Sequence, residues 1–252
     1  MSRTVLALSP HLDDAVFSCG GLLAQMADAG WRVCMATAFT RSVVPAQGFA
    51  LACQLDKGLA PEVDYMALRR AEDGEAAAIL GVEPRWLDLP EAPHRGYGSA
   101  PELFGPLRED DDVSRPLAAL IVALVDELHP TLVLAPQGLG AHVDHRQMIR
   151  AVQAALPGGP VAWYRDTPYA IRNPAASPDV MIPEIGEVVV DIGQGVDRKL
   201  LAACAYASQV GFQFGGPGPT AVALRDFAMH EGGAGPGERL LGTLPHGAFR
   251  RP

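Results

Sequence analysis

The sequence predicts an α/β fold: a single domain built on a mostly parallel sheet with helices on both faces and long loops. Three observations carry this expectation. Short apolar runs that read as buried strands alternate with stretches of helical spacing, beginning with strand, loop, helix and strand through Phe39. The chain holds 27 glycines and 22 prolines, well above the usual combined share of about 12%, so turn-rich loops should surround a regular core. No repeat, low-complexity segment or linker divides it, and residues 1–252 read as one domain. A chain of this length buries roughly 70–75% of its unfolded surface and needs no staples to build a core.

Val5–Leu8 is an apolar run ending at Ser9-Pro10, the pattern of a fully buried first strand. Asp13 and Asp14 precede an apolar series from Ala15 to Met26 that fits one helix face, with its acidic residues in the first turn and Gly30 as its stop. Val33–Phe39 is the second strand. Residues 41–60 lack periodicity and read as a loop. Asp64–Leu80 has helical spacing closed by Gly81, and Trp86–Leu89 is the third strand. Residues 90–114, rich in proline and glycine, read as a long loop framing a cleft, with Glu109–Asp112 as a solvated acidic run. Pro116–Leu128 is a helix and Leu132–Ala135 a strand, followed by the turn Gln137-Gly138-Leu139-Gly140-Ala141. Met148–Leu156 is a helix, Val161–Tyr164 and Val188–Ile192 are strands, and Asp197–Tyr206 and Ala221–His230 are helices.

The balance of 29 acidic to 20 basic residues, a net charge of −9, offers no basic footprint for a phosphate backbone. Nucleic acid is therefore excluded as the main partner. Cys19, Cys34, Cys53 and Cys204 lie in apolar segments without paired spacing and read as free thiols. The apolar run after Arg3 is too short for a signal peptide, and no stretch approaches the ~18 apolar residues of a membrane span. The expected setting is soluble and cytoplasmic.

Two polar clusters follow predicted strands. Pro10-His11-Leu12-Asp13-Asp14 follows the first strand, and His142-Val143-Asp144-His145 lies beyond the strand ending at Ala135. In open parallel sheets the carboxyl ends of the strands form the ligand crevice, so both clusters can face one site. Imidazole nitrogen and carboxylate oxygen suit a divalent metal. His11 and Asp14, like His142 and His145, are spaced i, i+3 and can point the same way. One His and one Asp from the first cluster and one His from the second make three protein ligands and leave a position open, the mark of a catalytic site. Asp13 is then free to act as general base, and His142 to stabilise charge on a substrate oxygen. Each residue also has a structural role open to it: a histidine can cap a helix, and the Asp pair suits a helix N-terminus.

The two motifs, in this order and with Ser18-Cys19-Gly20-Gly21 after the first, resemble those of the zinc-dependent de-N-acetylases of the LmbE/PIG-L type. Weaker echoes are Arg69-Arg70-Ala71-Glu72, the stretch from Tyr164 to Tyr169, and Lys199 through Gln209. The resemblance implies a Rossmann-like hydrolase that removes acetyl from an N-acetylated amino sugar or glycoconjugate. It further implies His11, Asp14 and His145 as metal ligands and Asp13 as general base. His142 becomes the partner of the oxyanion, Asp144 the residue that orients an imidazole, and Arg69 a substrate contact. The implied cofactor is Zn²⁺, with Fe²⁺ or another divalent ion as alternatives, and a homo-oligomer is compatible with the pattern. Pro10, Leu12, Ala15 and Val143 depart from the commonest motifs without removing a ligand or the base. The alternatives are a sugar-binding protein with a structural metal, or a metal-dependent amidase or esterase acting on a non-sugar substrate. Tyr97, Tyr169, Phe212 and Phe214 are the aromatic candidates for stacking on a sugar.

Overall fold

The computed structural model describes residues 3–245; residues 1, 2 and 246–252 of the expected domain lie outside them. In chain order the strands are β1 (Thr4–Ser9), β2 (Arg32–Thr37), β3 (Glu83–Trp86), β4 (Leu132–Pro136), β5 (Val161–Tyr164), β6 (Glu187–Asp191) and β7 (Gly237–Leu241). The helices are α1 (Asp14–Asp28), α2 (Gly48–Leu55), α3 (Tyr65–Leu80), α4 (Ala100–Leu103), α5 (Ser114–Leu128), α6 (Val143–Ala155), α7 (Tyr169–Arg172), α8 (Val196–Cys204), α9 (Ala207–Phe214) and α10 (Pro217–Gly232).

All seven strands form one sheet in the order β3-β2-β1-β4-β5-β7-β6. The first five are parallel, and β7 runs antiparallel to both β5 and β6. The mostly parallel Rossmann-like architecture follows from the strand chemistry. Each residue of β1 is buried, and successive side chains alternate between two cores. Val5 and Ala7 join α1, α3, α8 and α10 on one face, while Leu6 and Leu8 join α5 and α6 on the other. Helices therefore cover both faces.

Several elements differ from the sequence expectation. Residues 41–60 contain α2, whose two turns place Phe49, Ala50 and Cys53 on the wall of the main cavity. The third strand lies upstream of Trp86–Leu89, because Cys34–Thr37 pair with Glu83–Trp86. The helix expected from Met148 begins at Val143 and takes in the second motif. The helix expected at Ala221–His230 begins earlier, at Pro217, and α9 precedes it over Ala207–Phe214. β7, two of whose five residues are charged, went unrecognised. Glu109–Asp112 is not wholly solvated either: Asp111 is buried and bonded to both Arg95 and Tyr97.

Both ends of α3 are closed by local chemistry: Asp64 caps it by accepting the N–H of Ala67 at 2.9 Å, and Gly81, the stop expected from the sequence, closes it in the left-handed conformation. The break in α1 carries no such local signal. α1 is interrupted at Cys19, and the carboxylate of Glu238 accepts the N–H groups of Gly21 and Leu22 freed by the break. Lys199 bonds Glu238 at 2.7 Å and the carbonyl of Ser18 at 3.2 Å, so the break is satisfied within the core. A Cβ on Gly21 would lie 2.7 Å from Ile192, which explains the glycine at this close approach.

Candidate active site

The strand order reverses between β1 and β4, the neighbours on either side of which run outward in opposite directions. This switch point opens a crevice at the carboxyl ends of the two strands. His11, Asp13 and Asp14 follow β1, whereas His142, Asp144 and His145 follow β4 and start α6. The topology thus brings the two motifs together, with the His11 and Asp144 side chains 2.9 Å apart across 133 residues of sequence.

His11, Asp14 and His145 converge on one point. The Asp14 Oδ2 lies 3.2 Å from His11 Nδ1 and 3.2 Å from His145 Nε2. The opposite nitrogen of each imidazole is held by a carboxylate: Asp144 Oδ2 at 2.9 Å from His11 Nε2, and Asp166 Oδ1 at 2.5 Å from His145 Nδ1. Carboxylates bound in this way fix the ring orientation of metal-ligating histidines. His145 Nε2 is buried and has no hydrogen-bond partner, although it faces the Asp14 carboxylate. An orphaned ring nitrogen beside a second imidazole and a carboxylate is a donor set that fits a divalent cation. A second grouping of His11, His142 and Asp144 is also compact. It fits less well, because Asp144 is already committed to Arg95, the Ala92 N–H and His11.

The charges agree with this reading. Burial pulls the His145 imidazole down, but Asp14 and Asp166 outweigh it and raise it to about 9. His11 is likewise raised against burial by Asp14 and Asp144. Asp14, which burial alone would raise, is held well below its ordinary value by the two imidazoles. The cluster is built to hold positive charge.

Asp13 stands apart from this set. Its φ of 154° and ψ of −33° are unusual for a residue with a Cβ, and its N–H bonds the carbonyl of His11 at 3.0 Å. Such backbone strain costs of order 1–3 kcal/mol and persists where the surroundings impose it. The Asp13 carboxylate is 3.6 Å from the Arg69 guanidinium. Burial raises it to about 7, against the opposing charge of Arg69. Arg69 is itself buried, bonding Glu91 and the carbonyl of Leu12, while its Nε has no partner. The neighbouring Arg70 instead bonds Thr40 and Ser42, so Arg69 is the arginine in the cavity.

His142 caps α6, its Nδ1 accepting the N–H of Asp144 at 3.2 Å. That bond leaves the ring proton on Nε2. Burial, then the charge of His11, lowers the imidazole to about 3, so it is neutral near pH 7. The turn preceding it is tight: Gly140 has φ +85°, and a Cβ there would lie 2.5 Å from the Tyr169 ring.

All the sequence-singled residues of the two motifs, and Arg69, are therefore assembled at one crevice. Asp144 orients His11 rather than either histidine of its own motif. Sequence reasoning missed Asp166 and Arg95. Asp166 lies two residues past the end of β5, and that position at a parallel strand's carboxyl end was the available signal. Arg95, which bonds Asp144 at 2.7 Å and Asp111 through two nitrogens, sits in the irregular 90–114 segment and carried no pattern.

A cavity of about 350 Å³ opens over this centre, framed by α2, the 90–114 segment and α9. The segment expected to frame a cleft does so, through Glu91, Pro93, His94 and Phe104. Of the four aromatic candidates, Tyr169 and Phe212 line the cavity. Tyr97 is buried against Asp111, and Phe214 packs on Phe17. No helix among the described residues is long and apolar enough to cross a membrane.

Comparison with known proteins agrees with the geometry. The chain is 35% identical over 214 residues to a 2'-N-acetylparomamine deacetylase of Streptomyces fradiae, covering 82% of this chain and 73% of that one. Its fold is similar to the crystal structure of the A40926 pseudoaglycone deacetylase, with a TM-score of 0.82, 28% identity, and coverage of 97% and 98%. It is also similar to the zinc-inhibited form of teicoplanin deacetylase, with a TM-score of 0.81, 28% identity, and coverage of 95% and 97%. The family model for GlcNAc-PI de-N-acetylase, PIG-L, matches residues 6–156, a span that takes in both halves of the switch-point centre. The chain belongs to the PIG-L (LmbE-like) family.

Proposed function

We propose that this protein is a metal-dependent de-N-acetylase that hydrolyses the acetamide of an N-acetylated amino sugar or its conjugate. The observation that carries the reading is Asp13, a carboxylate outside the ligand set, ion-paired only loosely with Arg69 at 3.6 Å, on strained backbone beside three candidate ligands at a cavity. A structural metal site favours four protein ligands and has no use for a free base beside them. The relatives named for 2'-N-acetylparomamine and for the A40926 pseudoaglycone support the substrate class.

His11, Asp14 and His145 would hold the metal, with zinc as the proposed ion and Fe²⁺ as the alternative. When bound, a divalent ion there supplies a Lewis acid that polarises the amide and acidifies water. Asp13 accepts a proton from the attacking water as its oxygen bonds the acetamide carbon, a task suited to a carboxylate raised toward neutrality. The Nε2–H of His142 donates to the carbonyl oxygen as it gains charge, in a buried setting where such a bond counts most. The C–N bond then breaks, and the proton on Asp13 passes to the departing nitrogen. The products are acetate and the free amino sugar. Asp144 and Asp166 keep the ligand imidazoles aligned, and Arg69 meets the substrate at the cavity wall. The same reading treats residues 1–252 as one deacetylase domain, since β7 near the C-terminal end inserts between β5 and β6.

The test is acetate release from N-acetylglucosamine, diacetylchitobiose and acetylated aminoglycosides, with metal restored after chelation. Metal-dependent release supports the reading. Bound metal without hydrolysis of any amide overturns it.

A further inference from the structure

Arg95 belongs to the segment that frames the cavity and takes no part in the reaction above. Its side chain is buried, and all three guanidinium nitrogens are committed. Nε and Nη2 bond the two oxygens of Asp111 at 3.0 Å each, and Nη1 bonds the carbonyl of Pro90 at 2.7 Å. Nη2 also bonds Asp144 Oδ1 at 2.7 Å. The guanidinium carbon lies 4.9 Å from the centre of the Phe39 ring and 5.9 Å from that of Tyr97. A planar fork held by acceptors on three residues and packed on two rings is a rigid group.

That rigidity matters because of the duties of Asp144. Its Oδ2 accepts the Ala92 N–H at 3.1 Å and lies 2.9 Å from His11 Nε2, while its Oδ1 takes Arg95. The carboxylate is fully buried, and a charge in that setting needs a counter-charge, which the guanidinium supplies. Because a carboxylate is planar, fixing Oδ1 also fixes the direction from which Oδ2 holds the imidazole. The other ring nitrogen of His11, Nδ1, is the one that faces Asp14. We infer that Arg95 is a positioning residue for the metal centre: acting through Asp144, it sets the orientation of the His11 imidazole toward Asp14 and His145. It does so from the cavity-framing segment, since the Ala92 N–H and the Arg95 side chain both hold the same carboxylate. The inference rests on the metal-dependent reading and adds to it a residue whose own bonds go to Asp111, Pro90 and Asp144 rather than to a proposed ligand.

The experiment measures Zn²⁺ affinity of the full chain by competition with a chelator, and takes the visible spectrum of the Co²⁺-loaded protein as a second readout. Arg95→Met should weaken affinity by about 10- to 100-fold, the usual effect of disturbing the support of a ligating histidine, and shift the Co²⁺ bands. Arg95→Lys keeps the charge without the fork and should recover part of the loss. In an Asp144→Asn background Arg95→Met should add little, because both changes cut the same link. That pair removes both charges together, so it stays readable where Arg95→Met alone does not fold. Tyr97→Phe loosens the same segment by deleting a hydroxyl bonded to Asp111 and the Arg108 N–H, and should leave affinity and spectrum as in wild type. Unchanged affinity in Arg95→Met, additive losses with Asp144→Asn, or an equal loss in Tyr97→Phe each overturn the inference. Acetate release with metal affinity indifferent to Arg95 overturns the inference and leaves the deacetylase reading standing. Arg95-dependent metal binding by a protein that hydrolyses no amide does the reverse.

Discussion

The Nδ1 of His145 lies 2.5 Å from Oδ1 of Asp166, with both side chains fully buried. This bond dictates which nitrogen of His145 faces Asp14. Asp166 in turn is held by the Leu139 N–H at 3.1 Å, so the turn before α6 is tied to the same carboxylate. Asp166→Asn should weaken metal affinity by about 10- to 100-fold, the usual effect of removing a partner of a ligating histidine. Competition against a chelator of known affinity measures it. Unchanged affinity would remove Asp166 from the centre.

Asp13→Asn is expected to lower kcat by about 10²- to 10⁴-fold, the range of general acid–base catalysis, with metal content near normal. Metal analysis of the purified variant is the deciding measurement. If metal is lost along with activity, Asp13 is a ligand and the assignment of roles fails.

Asp111 gives an acid-side dependence of stability. Burial pushes its carboxyl up, but hydrogen bonds and charge from Arg95 outweigh burial and hold it below its ordinary value of 3.8. A carboxylate with a depressed folded value contributes stability that is present above the unfolded value and lost as pH falls through the folded one. The window therefore lies below about pH 4. Asp111→Asn should be less stable than wild type at pH 6, and the difference in unfolding free energy should shrink as denaturant titrations move below that pH. A gap that stays constant to pH 2 would contradict the Arg95 pairing.

Lys199→Met leaves the Glu238 carboxylate buried without its cation, although the Gly21 and Leu22 N–H groups still bind it. Removing one partner of a buried pair costs about 3–5 kcal/mol. Urea unfolding should show a loss of this order. The double change Lys199→Met with Glu238→Gln should recover part of it, since no net charge then remains uncompensated.

Much of this centre was readable before any coordinates. β1, α3 and β4 declared themselves through apolar runs, helical spacing and the Gly81 stop, because local chemistry alone sets those features. That His11, Asp14 and His145 share one crevice was expected because each follows a strand that a parallel sheet aims there, while their choice as a ligand set came from the family resemblance. The partners of those residues were not. Asp144 bonds His11 across 133 residues, and Arg95 reaches Asp144 across 49 from an irregular segment, so no periodicity encodes either contact. β7 was invisible for a related reason. Its Glu238 is buried only because α1 breaks at Cys19 and Lys199 lies opposite, and a charge in a strand otherwise argues for the surface.

The backbone of Asp13 carries one more consequence. A glycine would adopt its φ of 154° far more readily than any residue with a side chain. Asp13→Gly therefore removes the proposed base while relieving a strain of about 1–3 kcal/mol. It also takes a buried carboxylate away from Asp14. A laboratory screen that rewards only thermostability would therefore favour discarding this aspartate. On the proposed reading, such a screen would select against the reaction itself.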